Sequence, residues 1–273
     1  MVVGTYKYTA ELLELEAATP PSATTYQQPA HSNLSQCVKE AWEPYLAALP
    51  DQRFAAFMRR GFRDGFRISV DRSLGLQSST TNMPSAVANT EIVDKYIAEE
   101  VRAGNLQLIT DAEKQTETHC SPIGMIPKPH QPGKYRLIVN LLVPEGGSVN
   151  DTISPELASV QYTTVRRAAI QVAAMGRGAL LAKMDIHSAY RKVPVHQADQ
   201  SLLGIEWNDR VYQDRALPFG LRSAPKLFTA VADTLAWALA CEGVENVCHY
   251  LDDFLFWSKK NSPECARSLQ VAS

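Results

Sequence analysis

At 273 residues and 30.1 kDa the chain can bury one large core or two modest ones. Hydrophobic residues at 45% and charged residues at 21% are ordinary for a globular protein, and no apolar run reaches the ~18 residues of a membrane span. Residues 1–18 carry Glu11, Glu14 and Glu16 where a secretory signal needs an apolar core, so a signal peptide is not expected. The five cysteines include no C-x-x-C pair, which points to free thiols in a reducing compartment. The expectation is an intracellular protein, cytoplasmic or nuclear, with no membrane partner. A net charge of −2 argues against nucleic-acid binding through bulk charge, but charge can be local. Arg53, Arg59, Arg60, Arg63, Arg67 and Arg72 crowd one stretch with few acids among them. A solvated helix face is the ordinary reading of such a run, and a phosphate-contacting surface is the alternative.

Residues 1–33, with Pro20-Pro21 and a run of Ser, Thr, Gln and Asn, read as loosely structured. Two short helices follow over 34–62, interrupted at Pro44 and at Pro50-Asp51; Asp51 caps the second and Gly61 stops it. Phe54, Phe57 and Met58 supply its apolar face. Residues 73–87 are again rich in Ser, Thr and Asn and read as a linker, so 1–87 is an N-terminal extension and 88–273 the main domain. Thr90 is positioned to cap a helix whose Val93, Tyr96, Ile97 and Val101 form a core stripe, closed by Gly104.

Residues 121–128 and 134–140 then read as strands of a hairpin turning at 129–133 and projecting Lys128, His130, Lys134 and Arg136. A helix runs from Thr164 to Met175 and ends at Gly176 and Gly178. The strand over 179–186 carries Asp185 near its C-terminal end, an awkward place for an acid without a partner. Residues 202–207 and 210–213 flank an Asn208-Asp209 hairpin turn; Leu217-Pro218-Phe219-Gly220-Leu221 is a kinked loop; Ser223 or Ala224 opens a helix to about Cys241.

Between the apolar runs Val247-Cys248-His249 and Phe254-Leu255-Phe256-Trp257 stands Tyr250-Leu251-Asp252-Asp253, a hairpin with two acids at its tip. Adjacent carboxylates repel, and a tight turn would sooner be Asn-Gly or Asp-Gly. A solvated Asp-Asp turn is the plain alternative to a bound cation. With Asp185, however, the pair suits a three-carboxylate cradle for two divalent ions about 3.5–4 Å apart. Such an arrangement serves phosphoryl or nucleotidyl transfer, and Mg²⁺ takes few carboxylates plus substrate phosphates. Residue chemistry alone reaches a metal-dependent phosphoryl-transfer site. A phosphotransferase or a nuclease remains open at this point.

Three blocks in order, Lys183-Met184-Asp185-Ile186-His187-Ser188-Ala189-Tyr190, Leu217-Pro218-Phe219-Gly220-Leu221 with Ser223-Ala224-Pro225, and Tyr250-Leu251-Asp252-Asp253, resemble the palm motifs of reverse transcriptases. The hairpin from Ile126-Pro127-Lys128 to Val139-Asn140 resembles the family's fingers. The wording of Ser121-Pro122-Ile123-Gly124 and Ser148-Val149-Asn150-Asp151 is closest to retrotransposons, of DIRS-like or gypsy-like type. The resemblance covers about 88–260, with a weaker match over 34–62.

It implies an α+β right-hand polymerase fold, fingers and palm, with an antiparallel palm sheet packed on helices. It implies an RNA-directed DNA polymerase transferring dNMP to a primer 3′-hydroxyl, with an RNA template, a DNA primer and dNTPs as partners. By position, Asp185, Asp252 and Asp253 would hold two Mg²⁺ ions, Mn²⁺ being the alternative, assisted by the Ile186 carbonyl. Tyr190 would exclude a 2′-hydroxyl, Ser188 and Ala189 would offer N–H groups to the triphosphate, Lys128 and Arg136 would grip phosphates, and Phe219 would stack near the nucleotide. His187, His196 and His249 receive no role. Asn140 departs from the Asp of many relatives, and the chain is expected to be C-terminally incomplete at Ser273, without thumb or RNase H. The rival expectation is an inactive relic that binds nucleic acid or protein.

Overall fold

The computed structural model describes residues 12–14 and 36–273, so the loose segment expected over 1–33 lies outside the described residues apart from 12–14. Helix α1 (Gln36–Ala47) contains Pro44 rather than breaking there. Proline removes one backbone donor, but packing holds the helix together beyond it. Leu46 and Leu49 are buried, Trp237 Nε1 donates to the Tyr45 carbonyl at 3.0 Å, and the Tyr45 hydroxyl donates to Glu242 at 2.8 Å. Asp51 caps α2 (Gln52–Asp64) as expected, accepting from the N–H groups of Arg53 and Phe54.

Gly61 does not stop α2; the helix continues to Asp64, and Gly65, at φ 90°, closes it. Gly61 instead makes room for a ring, since a Cβ there would lie 2.1 Å from Phe66 Cε1. Phe66 packs against Phe57 and Phe62 at centroid distances of 5.5 and 5.8 Å.

Residues 71–89 are fastened along their length. Gln77 N–H donates to the Gly147 carbonyl, and Ser79 N–H to that of Cys120. Asn82 accepts from Ile123 N–H and donates to the Glu206 carbonyl, while Ser85 Oγ accepts from Met125 N–H. The polar residues that suggested a linker are here the groups that bond it to neighbouring strands.

Helix α3 (Thr90–Arg102) begins after Asn89, and its first turn has no side-chain cap. Thr90 is inside the helix; its hydroxyl donates back to the Val87 carbonyl, because a short helix over Pro84–Val87 leads directly into this one. Val93 and Ile97 are buried and Tyr96 is half-buried, but Val101 lies 38% exposed. Gly104, at φ 76°, follows as the terminator. Strands β1 (Leu106–Ile109), β2 (Ile123–Pro127) and β3 (Tyr135–Val139) come next, β2 and β3 forming the expected antiparallel hairpin with Ile126 opposite Arg136.

Helix α4 (Val165–Ala174) is capped by Thr164, which accepts from Arg167 N–H, and buries none of its residues. Strand β4 (Leu180–Asp185) is followed by β5 (Gly204–Trp207) and β6 (Arg210–Asp214), joined by Asn208 and Asp209 at φ 50° and 57°, a primed turn. Helix α5 (Ala224–Cys241), then β7 (Val247–Tyr250), β8 (Asp253–Ser258) and α6 (Glu264–Ala272) complete the described chain.

The strands form a β1-β6-β5 sheet, the β2-β3 hairpin and a β4-β8-β7 sheet, all antiparallel. Two cores lie beneath them. Val93 and Ile97 of α3 pack with Leu106, Ile123, Leu137, Ile205 and Tyr212 in one. In the other, Phe254 and Phe256 of β8 join Phe54, Phe57 and Met58 of α2, Leu227 and Phe228 of α5, and Cys265 of α6. The first helices therefore share a core with the sheet that carries the acids. Mixed helices and antiparallel sheets are the α+β class the sequence implied.

Candidate active site

Strand alternation sorts the β4-β8-β7 sheet into two faces. Phe254 and Phe256 are fully buried on the inner face. Asp185 is paired in register with Asp253, so both carboxylates stand on the opposite face, with Lys183 two residues before Asp185 on that same face. Asp252 occupies the β7–β8 turn, and Ile186 N–H donates to its carbonyl at 3.0 Å, fastening the turn to the end of β4. Asp185, Ile186, Asp252 and Asp253 are thereby gathered at one end of one sheet.

Two non-glycine residues in left-handed backbone flank this end, Ser188 at φ 55° and Leu251 at φ 52°. Such conformations cost on the order of 1 kcal/mol each and persist where the surroundings hold them.

Lys183 Nζ lies 2.9 Å from Asp253 Oδ1, and both side chains are substantially exposed. Its pKa is raised by the hydrogen bond to Asp253, then by that carboxylate's charge and, more weakly, by Asp185 and Asp252. All three acids thus act on one cation. Among the described residues no group of three or more His, Cys, Asp or Glu is drawn together around a metal position. The donor set nonetheless fits a hard divalent cation in kind: carboxylate oxygens, partly solvated, already facing a positive charge.

Tyr190 sits on the 3₁₀ turn Ala189–Lys192, its half-buried ring 5.2 Å from Phe219 and 5.6 Å from Phe228. Burial, then the neighbouring Tyr162, Asp252 and Tyr250, push its hydroxyl pKa up to about 12, so it stays neutral. Phe219 is 37% exposed, and Arg136 Cζ stands 5.8 Å from its ring centroid, a cation–π contact. Arg136, Phe219 and Tyr190 thus form one chain of contacts from the hairpin to the acid-bearing end. Lys128 lies past the end of β2, and among the described residues its side chain makes no hydrogen bond or ion pair. Ala189 is buried, and among the described residues neither its N–H nor that of Ser188 has an intramolecular acceptor. The Ser188 hydroxyl meets His187 Nδ1 at 3.1 Å.

The kinked loop is held by Asn150, which donates to the Gly220 carbonyl and accepts from Arg222 N–H, both at 2.8 Å. Asn140 accepts from Leu142 N–H at 3.3 Å. His249 pairs with Asp233 at 2.9 Å and stacks on Phe254, while His196 caps the short helix Gln197–Gln200. Most of the arginine run is ion-paired: Arg59 with Glu43, Arg63 with Asp64, and Arg67 and Arg72 with the buried Asp199. Four site features escaped the sequence: the roles of Lys183 at the acids, of Asn150 under the loop, of Tyr162 with its ring 4.8 Å from that of Tyr250, and of Arg191 paired with Glu100 next to Tyr190 in the chain. Lys183 left a local signal in the two-residue strand spacing before Asp185, and Asn150 in the Ser148-Val149-Asn150-Asp151 wording.

Residues 126–272 match the family model of reverse transcriptase (RNA-dependent DNA polymerase), and the chain belongs to that family. Among curated proteins, a Retrovirus-related Pol polyprotein from transposon opus of Drosophila melanogaster is 24% identical over 143 residues, covering 51% of this chain and 13% of that protein. Among solved structures, native Prototype Foamy Virus Protease-Reverse Transcriptase superposes with a TM-score of 0.53 at 21% identity, over 90% of this chain and 32% of the other. The foamy viral enzyme in complex with RNA/DNA hybrid gives 0.51 at 14% identity, over 90% and 33%. These superpositions place the fold with reverse transcriptases. The chain spans well under half of the Pol polyprotein and about a third of those two foamy viral chains. Reverse transcriptase domains use divalent metal ions.

Proposed function

We propose that this chain is the fingers and palm of a retrotransposon RNA-directed DNA polymerase, of DIRS-like or gypsy-like type, that adds dNMP to a primer 3′-hydroxyl. The carrying observation is the in-register pairing of Asp185 with Asp253, with the Asp252 turn tied to Ile186. It supports Asp185, Asp252, Asp253 and the Ile186 carbonyl as ligands for Mg²⁺, or Mn²⁺ in its place. Two such ions, when bound, lower the pKa of the attacking hydroxyl and neutralise charge on the leaving oxygen.

The remaining residues orient the substrates. The Ser188 and Ala189 N–H groups, without an acceptor among the described residues, receive the triphosphate, and Lys128 and Arg136 hold phosphates from the hairpin. Tyr190, braced by Phe219 and Phe228, closes the space a ribose 2′-hydroxyl would need. RNA template, DNA primer and dNTPs are the partners in this reading, within a larger intracellular polyprotein.

A second reading, binding without catalysis, draws on the Lys183–Asp253 pair, which neutralises one acid without a metal. Extension of a DNA primer on an RNA template, with and without divalent cation, separates the two. Wild type is expected to extend only with the cation, and Asp252→Asn not at all. Equal extension by Asp252→Asn would sink the metal-ligand assignment; no extension by folded wild type would leave the binding reading.

A further inference from the structure

Arg191 follows Tyr190 on the same 3₁₀ turn, yet it is only 8% exposed. Its guanidinium bridges two acids from elsewhere in the chain. Nη2 lies 2.7 Å from Glu100 of α3, with Nε donating to the same carboxylate at 2.8 Å, and Nη1 lies 2.6 Å from Asp214 of β6. A third acceptor, the Ala216 carbonyl, is 3.4 Å from Nη1.

The turn and the two acids belong to different cores. Ala189 packs in the core beneath the acid-bearing sheet, whereas α3 and β6 cover the core beneath the Arg136 hairpin. Arg191 is the ionic tie between them, one residue from the ring at the site. Arg191, Asp214 and Phe219 also line one small cavity of about 20 Å³, which sets the guanidinium near the aromatic that braces Tyr190.

We propose that Arg191 is a positioning residue for Tyr190: bridging Glu100 and Asp214, it sets how far the ring stands into the nucleotide site and so how strictly ribonucleotides are refused. The inference rests on the polymerase reading above and deepens it. The planar fork suits the task, because a Lys at this position presents a point charge that does not span two carboxylates in fixed geometry. A buried guanidinium stripped of its acids would be strongly destabilising, so the turn has one favourable height rather than several.

Removing Arg191 outright would leave the buried Asp214 and the partly buried Glu100 without their shared cation, so the test uses Glu100→Gln, which keeps the Asp214 half of the bridge. A misplacement of about 1 Å can cost on the order of 10²-fold in rate. Partial release is therefore expected to lower the dNTP-over-rNTP ratio of kcat/KM about tenfold, chiefly by letting rNTPs in. Because Glu100 acts through the ring, Tyr190→Ala with Glu100→Gln is expected to discriminate no worse than Tyr190→Ala alone. Unchanged discrimination by Glu100→Gln at a lowered Tm would reduce the triad to a structural tie and overturn the proposal. So would losses that multiply in the double variant. If Glu100→Gln does not fold, the same ratio is read in the neutral variant Arg191→Gln, Glu100→Gln, Asp214→Asn, and wild-type discrimination there overturns it equally. No dNTP incorporation by wild type would instead overturn the polymerase reading, and this inference with it.

Discussion

Tyr190 shows how a single side chain is held by what braces it. Phe219 and Phe228 fix its ring from two sides, and its hydroxyl stays neutral across the working range of pH. Tyr190→Ala is therefore expected to raise rNTP incorporation with little change in dNTP turnover, read by parallel single-nucleotide assays; unaltered selectivity would remove the ring from the gate. Asp214 supplies a pH signature. Burial pushes its carboxyl from 3.8 up to about 6, against the pull of Arg191. Between those two values the folded chain holds a proton that the unfolded chain has released. Its contribution to stability accordingly grows as pH falls through 6 and is absent well above it. Wild type should gain Tm relative to Asp214→Asn on going from about pH 7 to about pH 5. A difference constant with pH would contradict that environment. Neither Arg191 nor Asp214 was legible in the sequence, because a buried ion pair looks like two surface charges until the fold brings distant elements together.

Among the elements, local rules succeeded where the chemistry is local. The Asp51 cap, the Asn208-Asp209 turn and the acid-tipped hairpin follow from residue type and spacing, and all three are present. The rules failed where packing decides. Pro44 sits inside a helix because Leu46 and Leu49 anchor the next turn in the core, and Gly61 is a contact surface rather than a stop. That difference has a measurable sign. On an open helix Gly→Ala stabilises by about 1 kcal/mol. At Gly61 the added methyl meets the Phe66 ring, which Phe57 and Phe62 hold in place, so Gly61→Ala is expected to lower Tm. A higher Tm would show that the Phe66 ring can move aside. The polar 73–87 stretch misled for a related reason: Asn82 and Ser85 serve linkers and strand edges equally well, and only their partners distinguish the two.

Taken as a whole, the molecule sets two cores side by side and places the site where their elements meet. The hairpin brings Arg136 to Phe219, the loop pinned by Asn150 brings Phe219 to Tyr190, and the β4-β8-β7 sheet brings three acids to one end. The acids and Tyr190 were visible in the sequence as ordered motifs; the bracing beneath them was not, since it is made of residues far apart along the chain. The account stands on the three carboxylates working as one unit, and groups that work as a unit are non-additive when removed. The most direct measurement is RNA-templated addition of a single dNMP by Asp185→Asn, by Asp252→Asn and by the double variant, each shown to be folded. The account predicts that either single variant falls to background and that the double falls no further. A single variant within about tenfold of wild type, with losses that multiply in the double, would contradict it.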